Sequence, residues 1–200
     1  MKTVRYIVQI ILGVLVVLFT YLIYSGIMKP INFEKEKSAR YLKVVERLKD
    51  IRTAEVAYKS VYQKFTGSFD TLINFVKTDS FPVEFKEGSL DDSLAVAKNL
   101  VKRYIIYVPV RDSIFPKGYN ADSLRYVPHT SGVQFNLAAG SIVTGSKVTV
   151  QVFEANALNF DILNGMNRQL IVNLNDVAKD FKGLRVGNIK EANNNAGNWE

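Results

Sequence analysis

Cysteine is absent and histidine occurs once. Without thiols there is no disulfide, no thiolate metal site, no cysteine nucleophile and no lipidated N-terminal cysteine, although this alone leaves the compartment open. The one histidine, His129, stands in Val127-Pro128-His129-Thr130, a loop setting in which such a residue is far more often a surface group than a base. A serine triad needs that histidine and a G-x-S-x-G elbow, and no such elbow occurs. Neither H-E-x-x-H, an EF-hand loop nor another metal-ligand cluster is present. The expectation is a protein that is not an enzyme, with no cofactor and no metal. Gly140 to Lys147 has the glycine spacing of a phosphate loop, but Ser146 separates Gly145 from Lys147 and a strand, not a helix, is expected next.

Charge is missing from Tyr6 to Met28, and no acidic residue precedes Glu34. At the α-helical rise this uncharged stretch is about 34 Å long, against a hydrocarbon core of roughly 30 Å. A cleaved signal would carry a shorter apolar run and a small-x-small site, and neither is there. The stretch reads as an uncleaved signal-anchor, with residues 1–5 as a cytoplasmic tail and 6–28 as a transmembrane helix. Lys2 and Arg5 precede it; Lys29, Lys35, Lys37, Arg40 and Lys43 follow it as a membrane-proximal basic group. Counted simply, those charges put the C-terminal side in the cytoplasm, but the rule is weak for long translocated domains.

The formal charge is +7. Residues 1–30 carry +3 and 31–65 carry +4, whereas 66–200 hold fourteen basic and fourteen acidic residues. The outer domain is therefore neutral, no nucleic-acid partner is expected, and the nearest partner for the basic excess is membrane lipid. A solvated helix face of mixed charge is the alternative.

Pro30 is expected to kink the helix or divide it in two. From 31 to 65 the spacing of Tyr41, Val44, Leu48, Ile51, Tyr58, Tyr62 and Phe65 predicts an amphipathic stalk helix, with Glu55 the exception in its stripe. Packing of that stripe on the protein's own sheet is favoured over a coiled-coil seam. Thr66-Gly67-Ser68 breaks it, and Ser68 caps a short helix carrying Phe69, Leu72, Ile73 and Val76. Residues 80–88 read as a connection, and Ser89 to Lys102 as a second helix with Leu94, Ala97 and Val101 on one face. Strands are expected at Tyr104–Val110, around Val133, Phe135 and Leu137, around Val148, Val150 and Val152, at Leu170–Leu174 and at Leu184–Val186. Ala139 to Ser146 reads as a hairpin connection, Asn175 to Phe181 as a short helix, and 193–200 as a frayed, flexible tail. Helices first and strands afterwards give an α+β domain over 66–192, with an antiparallel sheet on the stalk.

The stretch from Ala54 to Leu72, with Ala57, Tyr58, Tyr62, Phe65, Gly67 and Phe69, resembles the end of the long N-terminal helix of type IV pilins and type II secretion pseudopilins. The likeness covers roughly residues 6–75, and it implies a pilin-like fold. The chain lacks the family's processing site and the glutamate that sets filament register, so the resemblance implies a stationary anchored protein rather than a processed filament subunit. Asp70-Thr71-Leu72, Asp92-Ser93-Leu94, Asp112-Ser113-Ile114 and Asp122-Ser123-Leu124 are similar to the O-glycosylation acceptors of exported Bacteroidetes proteins. Turn and cap chemistry explains one or two of them. The likeness makes Thr71, Ser93, Ser113 and Ser123 candidate glycan sites and implies an inner-membrane, single-pass protein with its domain outside the cytoplasm.

The function expected is therefore a non-catalytic envelope protein that contacts other envelope proteins or itself in a secretion, pilus-like or envelope assembly. The alternative is a binding domain for a small ligand or glycan, with Tyr104, Tyr107, Tyr119 or Tyr126 lining an open pocket. A flat apolar patch favours the first and a deep polar cavity the second.

Overall fold

The computed structural model describes residues 2–87 and 102–200; the helix expected from Ser89 and the candidate Ser93 lie outside them. The protein is α+β, a long N-terminal helix with two small antiparallel sheets. Helix α1, Lys2–Tyr62, is one element. Pro30 does not divide it, because only one N–H is lost and the helix continues through both flanks. Its N-terminal part is bare from Tyr6 to Ile27, and it is long and apolar enough to cross a membrane.

The C-terminal part of α1 is the centre of the core. Val44, Leu48, Ile51, Ala54, Ala57 and Tyr58 are buried on one face, so the stripe packs on its own domain, whereas Tyr62 is exposed. Glu55 is buried in the same face because its carboxylate receives the Thr66 N–H at 3.0 Å. That bond fastens the corner where the chain leaves α1, beside Gly67, where a Cβ would stand 3.2 Å from the Ala139 nitrogen. Helix α2, Phe69–Thr78, then buries Phe69, Leu72, Ile73, Phe75 and Val76. Ser68 holds its N-cap position without a side-chain cap bond.

The connection expected at 80–88 is instead strand β1, Ser80–Glu87, paired antiparallel with β2, Lys102–Pro109. Phe81, Val83 and Phe85 alternate with Pro82 and Glu84, and a two-stranded ribbon tolerates proline because each strand has an open edge. Helix α3, Val110–Ile114, and a 3-10 helix, Ala121–Arg125, lead to the three-stranded sheet. Its strands β3, Asn136–Val143, β4, Thr149–Leu158, and β5, Gly183–Gly187, lie in the order β3-β4-β5.

Several sequence expectations shift here. Ala139–Val143 belong to β3, and the turn is 144–148, closed by Thr144 N–H to Val148 O at 2.9 Å. Phe153, Ala155 and Ala157 are buried on β4, with Phe153 against the Phe65 ring at 4.8 Å, and of the three expected valines Val152 is buried, Val150 half-buried and Val148 exposed. Helix α4 spans Asn159–Ile162. Leu170–Leu174 are helical, within α5, Arg168–Val177, where Asn167 accepts from the N–H groups of Gln169 and Leu170. Leu170, Ile171, Leu174 and Asn175 share a helical face, which the accidental alternation of Leu170, Val172 and Leu174 concealed. The short helix expected at 175–181 therefore comes earlier.

The C-terminal residues are held rather than frayed. Gly187 N–H donates to Ala196 O at 3.0 Å and Asn198 N–H to Arg185 O at 3.1 Å, extending the free edge of β5. Trp199 packs on the core and Glu200 pairs with Arg52 at 2.7 Å. Gly187, at φ +71°, lies so close to β4 that a Cβ would meet Phe153 O at 2.1 Å. The open edge of β5 and the glycine-permitted approach give the tail a docking line.

Candidate functional site

The feature that stands apart from the core is the β1–β2 ribbon. In its register Phe81 faces Val108, Val83 faces Ile106 and Phe85 faces Tyr104, so these three successive pairs make an apolar stretch on one face. Phe81 is anchored edge-on to Phe75 at 6.4 Å between ring centroids. Outward from it Val83, Phe85, Tyr104 and Ile106 are each at least 40% exposed, and on the other face Ile105 and Tyr107 reach 60% and 69%. A lone two-stranded ribbon is marginal in water, and both its edges keep unpaired backbone groups.

The four tyrosines considered for a pocket are not brought to one place. Tyr104 lines a 420 Å³ surface depression with Pro82, Glu84 and Ile105. Tyr119 stacks on Phe115 at 4.0 Å and donates its hydroxyl to Asp50 at 2.7 Å; burial, then that bond, push its pKa up. Tyr126 borders an open polar groove of 380 Å³ with Asp70, Asn74, Lys77, Asp122 and Arg125. The charges of that groove pair across it, Lys77 with Asp122 at 2.7 Å and Arg125 with Asp70, so they clasp α2 to the 3-10 helix.

Of the candidate glycan residues, Thr71 and Ser113 are exposed, Ser113 donating its hydroxyl to Pro109 O at 3.2 Å. Ser123 is half-buried, its hydroxyl donating to Asn120 O at 2.6 Å and accepting from Arg47. Among the basic residues, Lys37 pairs with Glu34, Arg40 with Glu36 and Lys43 with Glu46. Arg40 also donates to Ile162 O and Asn164 O, at 3.2 and 2.9 Å, tying α1 to the chain between α4 and α5. Tyr41 continues the tie: its hydroxyl bonds Asn159, whose amide donates to Asn175 at 2.7 Å. Burial, with a contribution from Glu34, pushes the Tyr41 pKa up to about 12. Lys29 and Lys35 have no ion-pair partner among the described residues.

His129 is exposed at φ 62°. Gly140 to Lys147 runs along β3 and into its turn, where no helix N-terminus is available to a phosphate. Among the described residues no three or more His, Asp or Glu gather as metal ligands. Sequence reasoning missed β1, although its period-two pattern was visible between Pro82 and Gly88. Comparison with protein-family models, characterised proteins and solved structures gives no match to this chain.

Proposed function

We propose that this protein is a non-catalytic, single-span membrane protein whose α+β domain makes protein contacts through the β1–β2 ribbon. The observation that carries the reading is the apolar face of Val83, Phe85, Tyr104 and Ile106, left bare on a ribbon with open edges. Such a face gains free energy when an apolar strand or helix of a partner, or of a second copy, covers it. Support for the anchor comes from the uncharged, bare N-terminal part of α1. Support for a pilin-like layout comes from one helix that is free over its first part and packed against an antiparallel sheet over its second. The exposed Thr71 and Ser113 in acceptor-like triplets support a domain outside the cytoplasm of an envelope membrane. The ligand-binding alternative is weaker because the polar groove beside Tyr126 neutralises its own charges.

Blue native electrophoresis of gently solubilised native membranes tests the proposal. The wild type should migrate in an assembly larger than the monomer, and Ile106→Asp or Tyr104→Asp should release it at unchanged expression. An unaltered assembly in both variants would reject the ribbon as the contact.

A further inference from the structure

The β3-β4-β5 sheet leaves one stretch of β4 unpaired on its β5 side. Gly187 N–H donates to Ala196 O and Asn198 N–H to Arg185 O, so Gly187 and Arg185 turn these groups to the tail, and Val186 turns its own to its register partner Ala155. Backbone groups alternate between sides along an antiparallel strand, which makes Ala155, Phe153 and Gln151 the residues of β4 that face β5. The β3–β4 turn gives the same parity, because the Thr144 N–H to Val148 O bond sets Val148, Val150 and Val152 towards β3. Strand β5 ends at Gly187, opposite Glu154. Its backbone lies against the Phe153 carbonyl but stops short of Gln151. The backbone N–H and C=O of Gln151 therefore have no partner among the described residues.

A pocket of 250 Å³ opens at this point, bordered by Lys59, Val150, Gln151 and Asn193 to Asn195. The Lys59 ammonium lies over the Phe65 ring, 4.6 Å from its centroid, and the side chain is half-buried with no ion-pair or hydrogen-bond partner among the described residues. No acidic residue among the described ones borders the pocket. The nearest in sequence, Glu154 and Glu191, accept from the Ile189 N–H at 3.3 Å and the Asn188 amide at 3.0 Å. The opposite wall is held in place: Asn195 O accepts from Arg52 at 3.3 Å, and Asn194 and Asn195 stand at φ 54° and 58°, a region asparagine tolerates better than most residues. We infer that the pocket binds an extended peptide segment bearing a carboxylate, its backbone paired with the Gln151 N–H and C=O and its carboxylate on Lys59. An unpaired donor and acceptor on one strand residue match the acceptor and donor that one residue of an added strand presents. A half-buried cation without a counter-charge matches the carboxylate. The site is separate from the ribbon and does not depend on it.

Nuclear magnetic resonance of the full-length chain in micelles, labelled with ¹⁵N-glutamine, reads the Gln151 amide directly, its signal being assigned by its loss in Gln151→Ala. In the free chain this N–H should exchange with solvent quickly; slow exchange would show the edge already filled and overturn the inference. Acetyl-Val-Ala-Val with a free terminal carboxylate, or acetyl-Val-Asp-Val amidated at its end, should move the signal downfield and saturably, and the peptide that does so identifies a terminal or a side-chain carboxylate. Acetyl-Val-Ala-Val amide should bind roughly tenfold more weakly or worse, and so should the carboxylate peptide on Lys59→Met, whereas Lys59→Arg should retain binding. The remaining glutamine signals, unmoved in Lys59→Met, show that this variant is folded. Undiminished binding of the amide, or on Lys59→Met, rejects the carboxylate site. An equal shift with acetate alone rejects the strand pairing, and no shift with either carboxylate peptide rejects the site.

Discussion

Glu55 offers a stability prediction whose sign and size follow from its surroundings. Its side chain is 0% exposed, one carboxyl oxygen accepts the Thr66 N–H at 3.0 Å, and Oε1 has no hydrogen-bond partner among the described residues. Burial pushes its pKa from 4.5 up to about 8, with the Thr66 bond pulling the other way. The folded state therefore holds a proton that the unfolded state releases. The associated stability is complete below pH 4.5 and is lost as pH rises through about 8. One proton is worth about 1.4 kcal/mol per pH unit, so on the order of 3 kcal/mol disappears between pH 4.5 and 7. Glu55→Gln removes the titration and keeps an oxygen for Thr66. Urea unfolding of the full chain in micelles, followed by Trp199, the only tryptophan, measures both proteins. The stability difference should move by about 3 kcal/mol in favour of the glutamine variant from pH 4.5 to 7. Parallel pH profiles would show that the carboxylate reaches water and would refute the reasoning.

Other perturbations probe the remaining joints. Leu48→Ala, at a side chain with 0% exposure, should cost on the order of 2 to 5 kcal/mol in the same assay, and a chain beginning at residue 66 should show no cooperative unfolding because it lacks the central core face. Deleting residues 193–200 should lower stability by about 2 to 4 kcal/mol through the lost β5-edge hydrogen bonds, measured by urea unfolding with circular dichroism. In a Bacteroidetes host, protease added to intact spheroplasts should digest the chain beyond about residue 35. Mass spectrometry there should find glycan on Thr71 and Ser113 but not on Ser123, whose hydroxyl is held by Asn120 and Arg47.

What was legible in the sequence was what repeated over many residues. The Val44–Leu48–Ile51 stripe spans several turns, so its helix and burial could both be read. Glu55 looked like an interruption because its partner, the Thr66 backbone, carries no side-chain signature. Short elements depended on contacts made elsewhere. Leu170–Leu174 satisfied strand and helix spacing equally, and Asn167 decides the case by capping. The strand at Val148, Val150 and Val152 was legible from its alternation, but only Val152 of the three is buried, and the burial of Phe153, Ala155 and Ala157 carried no comparable signal because alanine is small. The polar tail gave no hint of order, since Gly187 and the edge of β5 supply its partners. The ribbon was half visible: Tyr104–Val110 read as a strand, but Pro82 hid the strand that pairs with it.

Photo-crosslinking in native membranes tests the central claim most directly, with p-benzoylphenylalanine placed at Ile106 on the ribbon face and, as a control, at Ser146 in the exposed β3–β4 turn. Position 106 should give a discrete adduct, either a dimer of this chain or one defined partner, and position 146 none. A monomeric, adduct-free chain at 106, or the same diffuse adducts from both positions, would contradict it.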